Sequence, residues 1–326
     1  MKAFSIASVA RFQSLLALAV LVIALSLASD HFLTAENGVN ILRQISVNLC
    51  LSIGLTLVIL SGGIDLSVGA VLALAGAVAA GLLKTGIDLP MGGVHLELTI
   101  AGAVMVGVGV GVVLGLVNGL MVTRLLIPPF VATLAMMSVA RGLTQLWTGG
   151  HPISRLGAPF EWIGTGTFLA IPVPVWIVAA LGAVASVICH RTPFGRHLYA
   201  VGGSERAARL TGLRVDSIRT VVYVAGGALS GLAGILVTAR LDSAQPNAGL
   251  GYELDAIAAV VIGGTSLSGG RGSVAGTALG CLLIGVLSNG LTLLDVSPFW
   301  QQIVKGAVIA VAVALDRRNS RQDRLS

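Results

Sequence analysis

Long apolar runs, separated by short polar connections, recur through most of this chain. A helix needs about 20 predominantly apolar residues to cross the hydrocarbon core of a bilayer. Runs near that length predict about ten membrane-spanning helices, at residues 12–29, 41–60, 66–83, 98–122, 129–147, 171–189, 219–239, 254–268, 274–294 and 299–315. The eighth run is short and rich in glycine. It predicts a broken or re-entrant helix, which is tolerated only where protein or a water-filled cavity shelters the backbone.

The composition is typical of a membrane protein. Of the 326 residues, 55% are hydrophobic and only 10% are charged, whereas soluble domains contain roughly 25% charged residues. We therefore predict an all-α, polytopic integral membrane protein with a single transmembrane domain over residues 1–326. The net charge of +6 does not indicate nucleic-acid binding, because the basic residues concentrate in loops, where they act as orientation signals.

The distribution of charge predicts the orientation of the chain. With an even number of spans, both termini lie on one side of the membrane. The loops of that side carry Arg124, the six arginines of residues 190–219, Arg271, Arg317, Arg318, Arg321 and Arg324. The opposite loops carry mainly acidic residues, namely Asp30, Glu36, Asp88, Glu97, Glu161, Asp242, Glu253 and Asp295. Because loops rich in arginine face the cytoplasm, both termini are predicted to be cytoplasmic.

Glycines at four-residue spacing form a stripe on the fourth predicted span. They are Gly107, Gly111, Gly115 and Gly119. A smooth glycine face allows a second helix to pack closely. Shorter versions occur at residues 227–231 and 276–280.

Two stretches of the chain are weakly similar to each other. Residues 58–67 (VILSGGIDLS) and 260–268 (VVIGGTSLS) both end an apolar run in paired glycines, followed by a polar turn and a helix of small residues. Internal duplication is common in transporters and places the substrate path between the repeats. Coincidence is the alternative, because the similar stretch is short.

Motifs for catalysis and nucleotide binding are missing from the sequence. It contains no GxxxxGK[ST] loop, HExxH or GxSxG, the signatures of phosphate binding, zinc proteolysis and serine hydrolysis. The three cysteines are scattered singly and form no CxxC or Cys/His cluster. We therefore expect no catalytic residue, no metal site and no cofactor on this chain, so any ATP it uses must bind another polypeptide.

The most charged segment, residues 190–219, lies between two apolar runs. Within it, Ser204 is a suitable N-cap, Glu205 suits a first helical turn, and Gly212 can end a helix. This pattern predicts a short helix standing alone between two spans. A solvated positively charged loop is the alternative, and it explains the arginines but not the pattern of cap, helix and glycine.

Polar residues within or beside the spans are candidates for a substrate path, because burial of an unpartnered polar group is costly. Asp65 and Ser67 follow the Gly62–Gly63 break, and the alternative for Asp65 is that it caps the third span. Further candidates within spans are Asn48, Thr56, Asn118, Thr133, Gln145 and Asn289. Their alternative role is hydrogen bonding between helices. Arg141 also lies in a span and needs a partner that the sequence does not identify.

A polar, turn-rich stretch at residues 240–255 leads directly into the suspected broken span. The orientation places this stretch on the outer face. We predict that it lines the outer mouth of the path, with Gln245 and Tyr252 as candidate pathway residues. A plain exterior loop is the alternative.

Three strings identify a resemblance to known proteins. They are VILSGGIDLSVGAVLALAGAVAAG at residues 58–81, LYAVGGSERAARLTGLRV at 198–215, and SAQPNAGLGYELDAIAAVVIGGTSLSGGRG at 243–272. The chain resembles the ribose-type permeases of bacterial ABC importers, within the branched-chain amino acid and sugar permease superfamily. The resemblance covers roughly residues 37 to 316 in unbroken order.

This resemblance implies a multi-pass permease subunit in the bacterial inner membrane, which imports a ribose-like pentose or hexose by alternating access. The implied partners are an ABC ATP-binding subunit that holds ATP and magnesium, a periplasmic sugar-binding protein and a second permease copy, identical or paralogous. The segment that contacts the ATPase carries an Ala-Ala and Gly signature, which here has Arg206 in its first position. The implied coupling residues are Ser204, Glu205, Arg206, Ala207, Ala208, Arg209 and Gly212.

Two other functions are alternatives for this sequence. An ion-coupled secondary transporter of a small polar solute would need ionisable residues deep in several spans, and only Asp65 and Arg141 come close. A membrane-embedded enzyme is disfavoured by the missing catalytic motifs.

Overall fold

The computed structural model describes residues 6–89 and 94–325. Its helices are α1 (Ile6–Ala28), α2 (Ala35–Leu60), α3 (Val68–Thr85), α4 (Ile100–Thr123), α5 (Pro129–Thr148), α6 (Ala158–Thr165), α7 (Val173–Arg191), α8 (Pro193–Gly203), α9 (Glu205–Leu210), α10 (Val215–Arg240), α11 (Tyr252–Ile262), α12 (Val274–Leu293) and α13 (Pro298–Leu325). Short strands pair in the connections: β1 (Ile87–Leu89) with β2 (Val94–Leu96), β3 (Ile153–Ser154) with β6 (Ser243–Ala244), and β4 (Thr167–Phe168) with β5 (Ile171–Pro172). All three pairs are antiparallel. The protein is therefore built mainly from helices, as predicted.

Every predicted span overlaps a helix. Within the described residues, six helices are both long and apolar enough to cross a membrane: α2, α3, α4, α7, α10 and α12. This confirms an all-α, multi-pass architecture. Helix α11, on the eighth predicted span, has 11 residues and is only about 16 Å long, roughly half the hydrocarbon thickness of a bilayer. The expectation of a short or broken segment there was correct, while the total of about ten spans stays a prediction.

The chain divides into two compact units. The first unit contains the described residues up to Gly62, Gly182–Leu213 and those from Leu254 onward. The second unit contains Gly63–Leu181 and Arg214–Glu253.

In the second unit, α3, α4 and α10 pack against one another through glycines. All four stripe glycines of α4 are buried. The Cβ that a larger residue would carry at Gly111 or Gly115 would overlap the backbone of α10 at Gly227 or Tyr223. The predicted close approach is therefore confirmed, and the glycines of residues 227–231 form the facing surface.

In the first unit, α12 packs against α1 and α2. Its two spaced glycines serve the packing of α11, because a Cβ at Gly276 or Gly280 would overlap the carbonyl oxygens of Gly263 and Ala259. Around them lies an apolar cluster formed by Ile45, Ala258, Ala259, Cys281 and Ile284. The short half-helix α11 is thus held in the interior of its unit by close backbone contact.

Two helices were not predicted from the sequence. Helix α6 has eight residues and packs against α10, with Phe160 fully buried in an apolar cluster. Helix α8 has 11 residues and directly precedes α9. Both are too short to give the long apolar run by which spans are recognised.

Candidate functional site

The predicted helix in the arginine-rich segment is present as α9. The Ser204 hydroxyl accepts a hydrogen bond from the Ala207 N–H at 3.3 Å, which satisfies one of the free donors of the first turn. Arg209 forms an ion pair with Glu205 at 3.0 Å, one turn earlier. After the helix, Gly212 adopts φ 81°, a left-handed conformation that suits glycine. The cap and the stop were therefore correctly identified from the sequence.

One face of α9 is exposed. Arg206, Ala207 and Leu210 are all exposed, and residues three or four positions apart are neighbours on a helix surface. The Leu210 side chain is 82% exposed, whereas Ala208 is buried on the opposite side. Leu210 was not among the predicted coupling residues, although its spacing from Arg206 and Ala207 was a usable signal.

The prediction that α9 stands alone was wrong. Helix α8 precedes it, begins at the N-cap Thr192, whose hydroxyl accepts from the Gly195 N–H at 3.3 Å, and buries Leu198 and Val201. Only the extended residue Ser204 separates α8 from α9. This helix was not predicted because its sequence begins with proline and contains three glycines. Glycine disfavours a helix interior.

The C-terminal end of α8 lies against the end of α2 and against the loop after α11. A Cβ at Gly202 would overlap the Leu60 carbonyl oxygen. That same oxygen accepts a hydrogen bond from the Gly270 N–H at 3.0 Å. We call this three-residue contact of Gly202, Leu60 and Gly270 the glycine junction. It brings the end of α2, the end of α8 and the loop after α11 into direct backbone contact.

A tyrosine of α8 adds a side-chain bond beside the glycine junction. The Tyr199 hydroxyl donates to the Gly272 carbonyl oxygen at 2.9 Å. Burial, together with the nearby Cys189 thiol, raises the pKa of Tyr199 to about 12. The hydroxyl therefore keeps its proton at neutral pH and remains a donor for this bond.

In the second unit, three of the predicted pathway residues lie together. One carboxylate oxygen of Asp65, Oδ1, accepts from the Ser67 N–H at 2.8 Å and from the Ser67 hydroxyl at 2.6 Å. Asn118 Nδ2 donates to the same hydroxyl at 2.9 Å. Burial raises the pKa of Asp65, against the opposing effect of the two bonds from Ser67. Ser67 is the N-cap residue of α3 and precedes its first turn, so this bond closes the turn before the helix, and the capping alternative for Asp65 stays a prediction.

This cluster also includes Thr133, one of the candidates within spans, and two partners that the sequence did not indicate, Ile64 and Tyr223. The Ile64 carbonyl oxygen accepts from the Tyr223 hydroxyl at 3.2 Å and from the Thr133 hydroxyl at 3.4 Å. Tyr223 is fully buried, and a tyrosine inside an apolar run was the available signal, because a buried hydroxyl usually has a hydrogen-bond partner. Asn118 Oδ1 is buried without a hydrogen-bond partner in the described part of the chain.

The remaining candidates within spans mostly join helices. Asn289 and Asn37 exchange hydrogen bonds at 2.8 and 3.0 Å, and Thr56 bonds Thr277 at 2.7 Å. These bonds favour the alternative of interhelical bonding for Asn289 and Thr56. Asn48 Oδ1 is buried without a partner in the described residues. The assignment of these side chains to a substrate path stays a prediction.

The polar stretch before α11 supplies the partner of Arg141. Its guanidinium Nη1 donates to the carbonyl oxygens of Pro246 and Ala248, at 2.9 and 2.8 Å. The predicted pathway residue Gln245 is exposed in the same stretch, and Tyr252 is partly exposed at the start of α11. The structure thus joins two features that the sequence left unconnected.

Comparison with known proteins identifies one family. Its sequence profile, described as "Branched-chain amino acid transport system / permease component", matches residues 37–313. The chain is 50% identical to the ribose import permease protein of Bacillus subtilis (strain 168) over 307 residues, which cover 94% of this chain and 92% of that protein. It is 46% identical to the ribose import permease protein of Escherichia coli (strain K12) over 310 residues, 94% of this chain and 93% of that protein. The D-allose transport system permease protein of Escherichia coli (strain K12) is 38% identical over 292 residues, 90% of this chain and 86% of that protein. No solved structure matches.

Proposed function

The chain belongs to the family of branched-chain amino acid transport system permease components, and we propose that it is the membrane-spanning permease subunit of an ATP-driven, binding-protein-dependent monosaccharide importer. The observation that carries the proposal is the similarity over 94% of the chain to two proteins named as ribose import permeases. These relatives give no support to an ion-coupled secondary transporter. The proposed substrate is a ribose-like pentose or a hexose.

The proposal includes partners and a location. An ABC ATP-binding subunit holds ATP and magnesium, a periplasmic binding protein delivers the sugar, and a second permease copy completes the path. The chain itself acts as one permease domain in the bacterial inner membrane, with about ten spans, both termini in the cytoplasm, and alternating access to the sugar.

We assign the exposed face of α9 to the ATPase contact. A short capped helix with an exposed leucine, Leu210, can seat its apolar side chain in a cleft of a partner, while Arg206 interacts with acidic groups around it. The exposed residues Ala207 and Gly212 leave room for close approach. Because burial of a leucine is favourable by about 1.5–3 kcal/mol, this side chain is the main apolar anchor of the face.

The glycine junction gives this contact a mechanical consequence. Helix α8 is separated from α9 by one residue, and its end is in backbone contact with the end of α2 at Leu60 and with the loop after α11 at Gly270. A displacement of α9 by the ATPase is therefore transmitted to the end of α2 and the loop after α11 without a flexible linker. This is the type of rigid coupling that a domain closure needs in order to open or close a path.

The test uses the permease reconstituted in proteoliposomes with its ATPase and binding protein. Ala207→Asp places a charge on the exposed face. Gly212→Pro is incompatible with the left-handed conformation at φ 81°, because proline is fixed near φ −65°. We expect each variant to reduce ATP-driven D-ribose uptake at least about tenfold, the scale of one lost contact of about 1.4 kcal/mol, and to remove sugar-stimulated ATP hydrolysis.

The matched control is Ala158→Asp, the same substitution at an exposed alanine of α6. It should leave uptake and hydrolysis at wild-type levels. If Ala207→Asp also retains both, the assignment of α9 to the ATPase contact is wrong. If the wild-type complex imports sugar from an ion gradient while the ATPase is inactivated, the importer proposal itself fails.

A further inference from the structure

A segment of the second unit leaves the end of α10 and runs back beside α3. We call residues Ser243–Gly251 the descending segment. It begins beyond the end of α10, where its first two residues pair with strand β3. Further along, a Cβ at Gly249 would overlap the Gly69 carbonyl oxygen. The backbone of the segment is therefore in direct contact with the first turn of α3.

The contacts of α3 show how far the segment returns. Near the end of α10, Thr238 lies against Gly76. Gly249 lies against Gly69, seven residues earlier on the same helix, which corresponds to about 10 Å along the helix axis. Since α3 is one of the helices long and apolar enough to cross a membrane, and the proposed function places it in the bilayer, the non-helical backbone of the segment would then lie at membrane depth.

Non-helical backbone at that depth needs hydrogen-bond partners, because lipid provides none. Arg141 supplies them, with Nη1 donating to the carbonyl oxygens of both Pro246 and Ala248. A guanidinium at membrane depth is itself costly unless it is paired. The two carbonyl acceptors on the segment offset that cost. Arg141 and the backbone of the segment therefore stabilise each other.

A turn in the segment presents two amide side chains. The Ala248 N–H donates to the Gln245 carbonyl oxygen at 3.0 Å and closes the turn. Gln245 and Asn247 are exposed, while Pro246 is buried between them. The same Pro246 and Ala248 carbonyl groups are held by Arg141. The guanidinium therefore fixes the turn from one side while the amides extend from the other.

A third amide from α5 meets this turn. Gln145 donates from Nε2 to Asn247 Oδ1 at 3.1 Å. Within the described residues no other side-chain hydrogen bond is made by Gln145 or Asn247, which leaves an amide oxygen on Gln145 and an amide nitrogen on Asn247 for a ligand. Exposed amides at membrane depth belong in a water-filled path, because lipid contact would leave them unsatisfied.

We propose that Arg141 holds the descending segment along the sugar path, and that the amide pair of Gln145 and Asn247 recognises hydroxyl groups of the monosaccharide as it passes. Each sugar hydroxyl is both a donor and an acceptor, and the amide pair offers one group of each kind side by side. Arg141 is a positioning residue, whereas Gln145 and Asn247 contact the substrate. This inference rests on the proposed function for the identity of the solute.

The first experiment tests the path without using transport. In a variant whose three cysteines, Cys50, Cys189 and Cys281, are replaced by alanine, Asn247→Cys is treated in native membranes with a membrane-impermeant maleimide. Because a thiol reacts as the thiolate and needs water, we expect labelling at least about fivefold faster than for Met105→Cys, an exposed apolar position on α4. Equal, slow labelling of both would place Asn247 in lipid or protein and overturn the proposal.

Arg141 is tested in the same assay. Arg141→Met removes both hydrogen bonds and should change the labelling rate of Asn247→Cys at least about threefold, whereas Arg141→Lys, which can still donate to a carbonyl, should stay closer to the parent. If Arg141→Met leaves the rate unchanged, Arg141 does not position the segment.

The second experiment tests recognition with the reconstituted importer. Asn247→Ala and Gln145→Ala should each raise the KM for D-ribose uptake at least about fivefold, while the maximal rate changes less than about twofold. Unchanged KM values in both variants for D-ribose, D-allose and D-xylose would overturn the recognition role. If the wild-type complex transports none of these sugars, the proposed function fails, and the labelling experiment still decides whether the segment lines a water-filled path.

Discussion

The two similar stretches of the chain end in loops that begin alike. The first loop, Ser61–Ser67, follows α2, and the second, Gly263–Ser273, follows α11. The second residue after each helix is a left-handed glycine, Gly62 at φ 81° and Gly264 at φ 85°. Each of these glycines donates its N–H to a carbonyl oxygen three residues earlier, at 2.9 Å in both loops. The weak sequence similarity therefore corresponds to a shared helix ending, which glycine makes possible.

The loops differ in how they lead into the next helix. The first is short, and its Asp65 accepts from Ser67 directly before α3, while Ser67 itself makes no side-chain cap. The second is longer, and Ser273 caps α12 by accepting from the Gly276 N–H at 3.1 Å. One loop is thus anchored by a buried carboxyl cluster and the other by an ordinary cap and by Tyr199 of α8. The same helix ending is therefore followed by two different ways of holding the loop in place.

A large loss of stability is expected at the glycine junction, where the end of α2 and the second loop meet α8. Gly202→Ala would place a methyl group on the Leu60 carbonyl oxygen, and such overpacking costs about 1–3 kcal/mol. We expect the thermal unfolding midpoint to fall by roughly 3–10 °C. A thiol-reactive dye can follow unfolding in detergent, because all three cysteines are buried. Gly203→Ala is the matched control, since nothing lies within 4 Å of a Cβ there. Equal midpoints for the two variants would mean that the junction is not closely packed.

The next effect, in the same range, is expected at the buried carboxyl cluster of the first loop. Asp65→Ala leaves the Ser67 N–H without its acceptor, which costs about 1–3 kcal/mol. Asp65→Asn retains an acceptor oxygen and is expected to stay within about 1 kcal/mol of wild type. In the second loop, the exposed residue Ser268 provides the control, and Ser268→Ala should change stability by less than about 0.5 kcal/mol. If Asp65→Ala is as mild as Ser268→Ala in the unfolding assay, the carboxyl cluster does not anchor the first loop.

The pH dependence follows from the same carboxyl group. Burial raises the pKa of Asp65, so folding disfavours its charged form. The stability contribution of Asp65 is therefore greatest below its unfolded pKa of about 3.9 and is lost as the pH rises through the folded pKa. Measured from acidic to neutral pH, the stability of Asp65→Asn relative to wild type should increase. A difference independent of pH would show that the carboxyl group is as well solvated in the fold as in the unfolded chain.

A smaller change is expected at the anchor of the second loop. Tyr199→Phe removes the hydrogen bond to the Gly272 carbonyl oxygen but keeps the ring stacked near His190. A loss of about 0.5–1.5 kcal/mol is expected, visible as a fall of a few degrees in the unfolding midpoint. If Tyr199→Phe unfolds at the wild-type temperature, the contact between α8 and the second loop depends on the backbone of the glycine junction alone.

Much of the fold could be predicted because its signals are local. A long apolar run predicts a membrane helix without further information, and each run overlapped a helix. Ser204, Glu205 and Gly212 predicted α9 from residues within one or two turns. The four-residue glycine spacing on α4 predicted a packing face, although it could not identify α10 as the partner. Short helices such as α6 and α8 were missed because they carry too few apolar residues to give a run of their own.

The candidate site was less predictable because its members are distant in the sequence. The polar residues proposed from the sequence proved to belong to different groups, with Asp65 and Asn118 joined through Ser67 and Asn289 bonded to Asn37. No local pattern connects these positions with one another. Such contacts depend on which backbone segments the packing brings together.

Hydrophobic length, capping and glycine spacing were enough to place the long helices, to mark the short helix of the arginine-rich segment and to indicate a multi-pass membrane protein, because each of these signals acts between neighbouring residues. Three features could be seen only in the folded molecule: the glycine junction at the end of α8, the exposure of Leu210, and the hold of Arg141 on the descending segment. They arise from close approaches between distant parts of the chain and from backbone groups that need partners, and only packing decides where those groups meet.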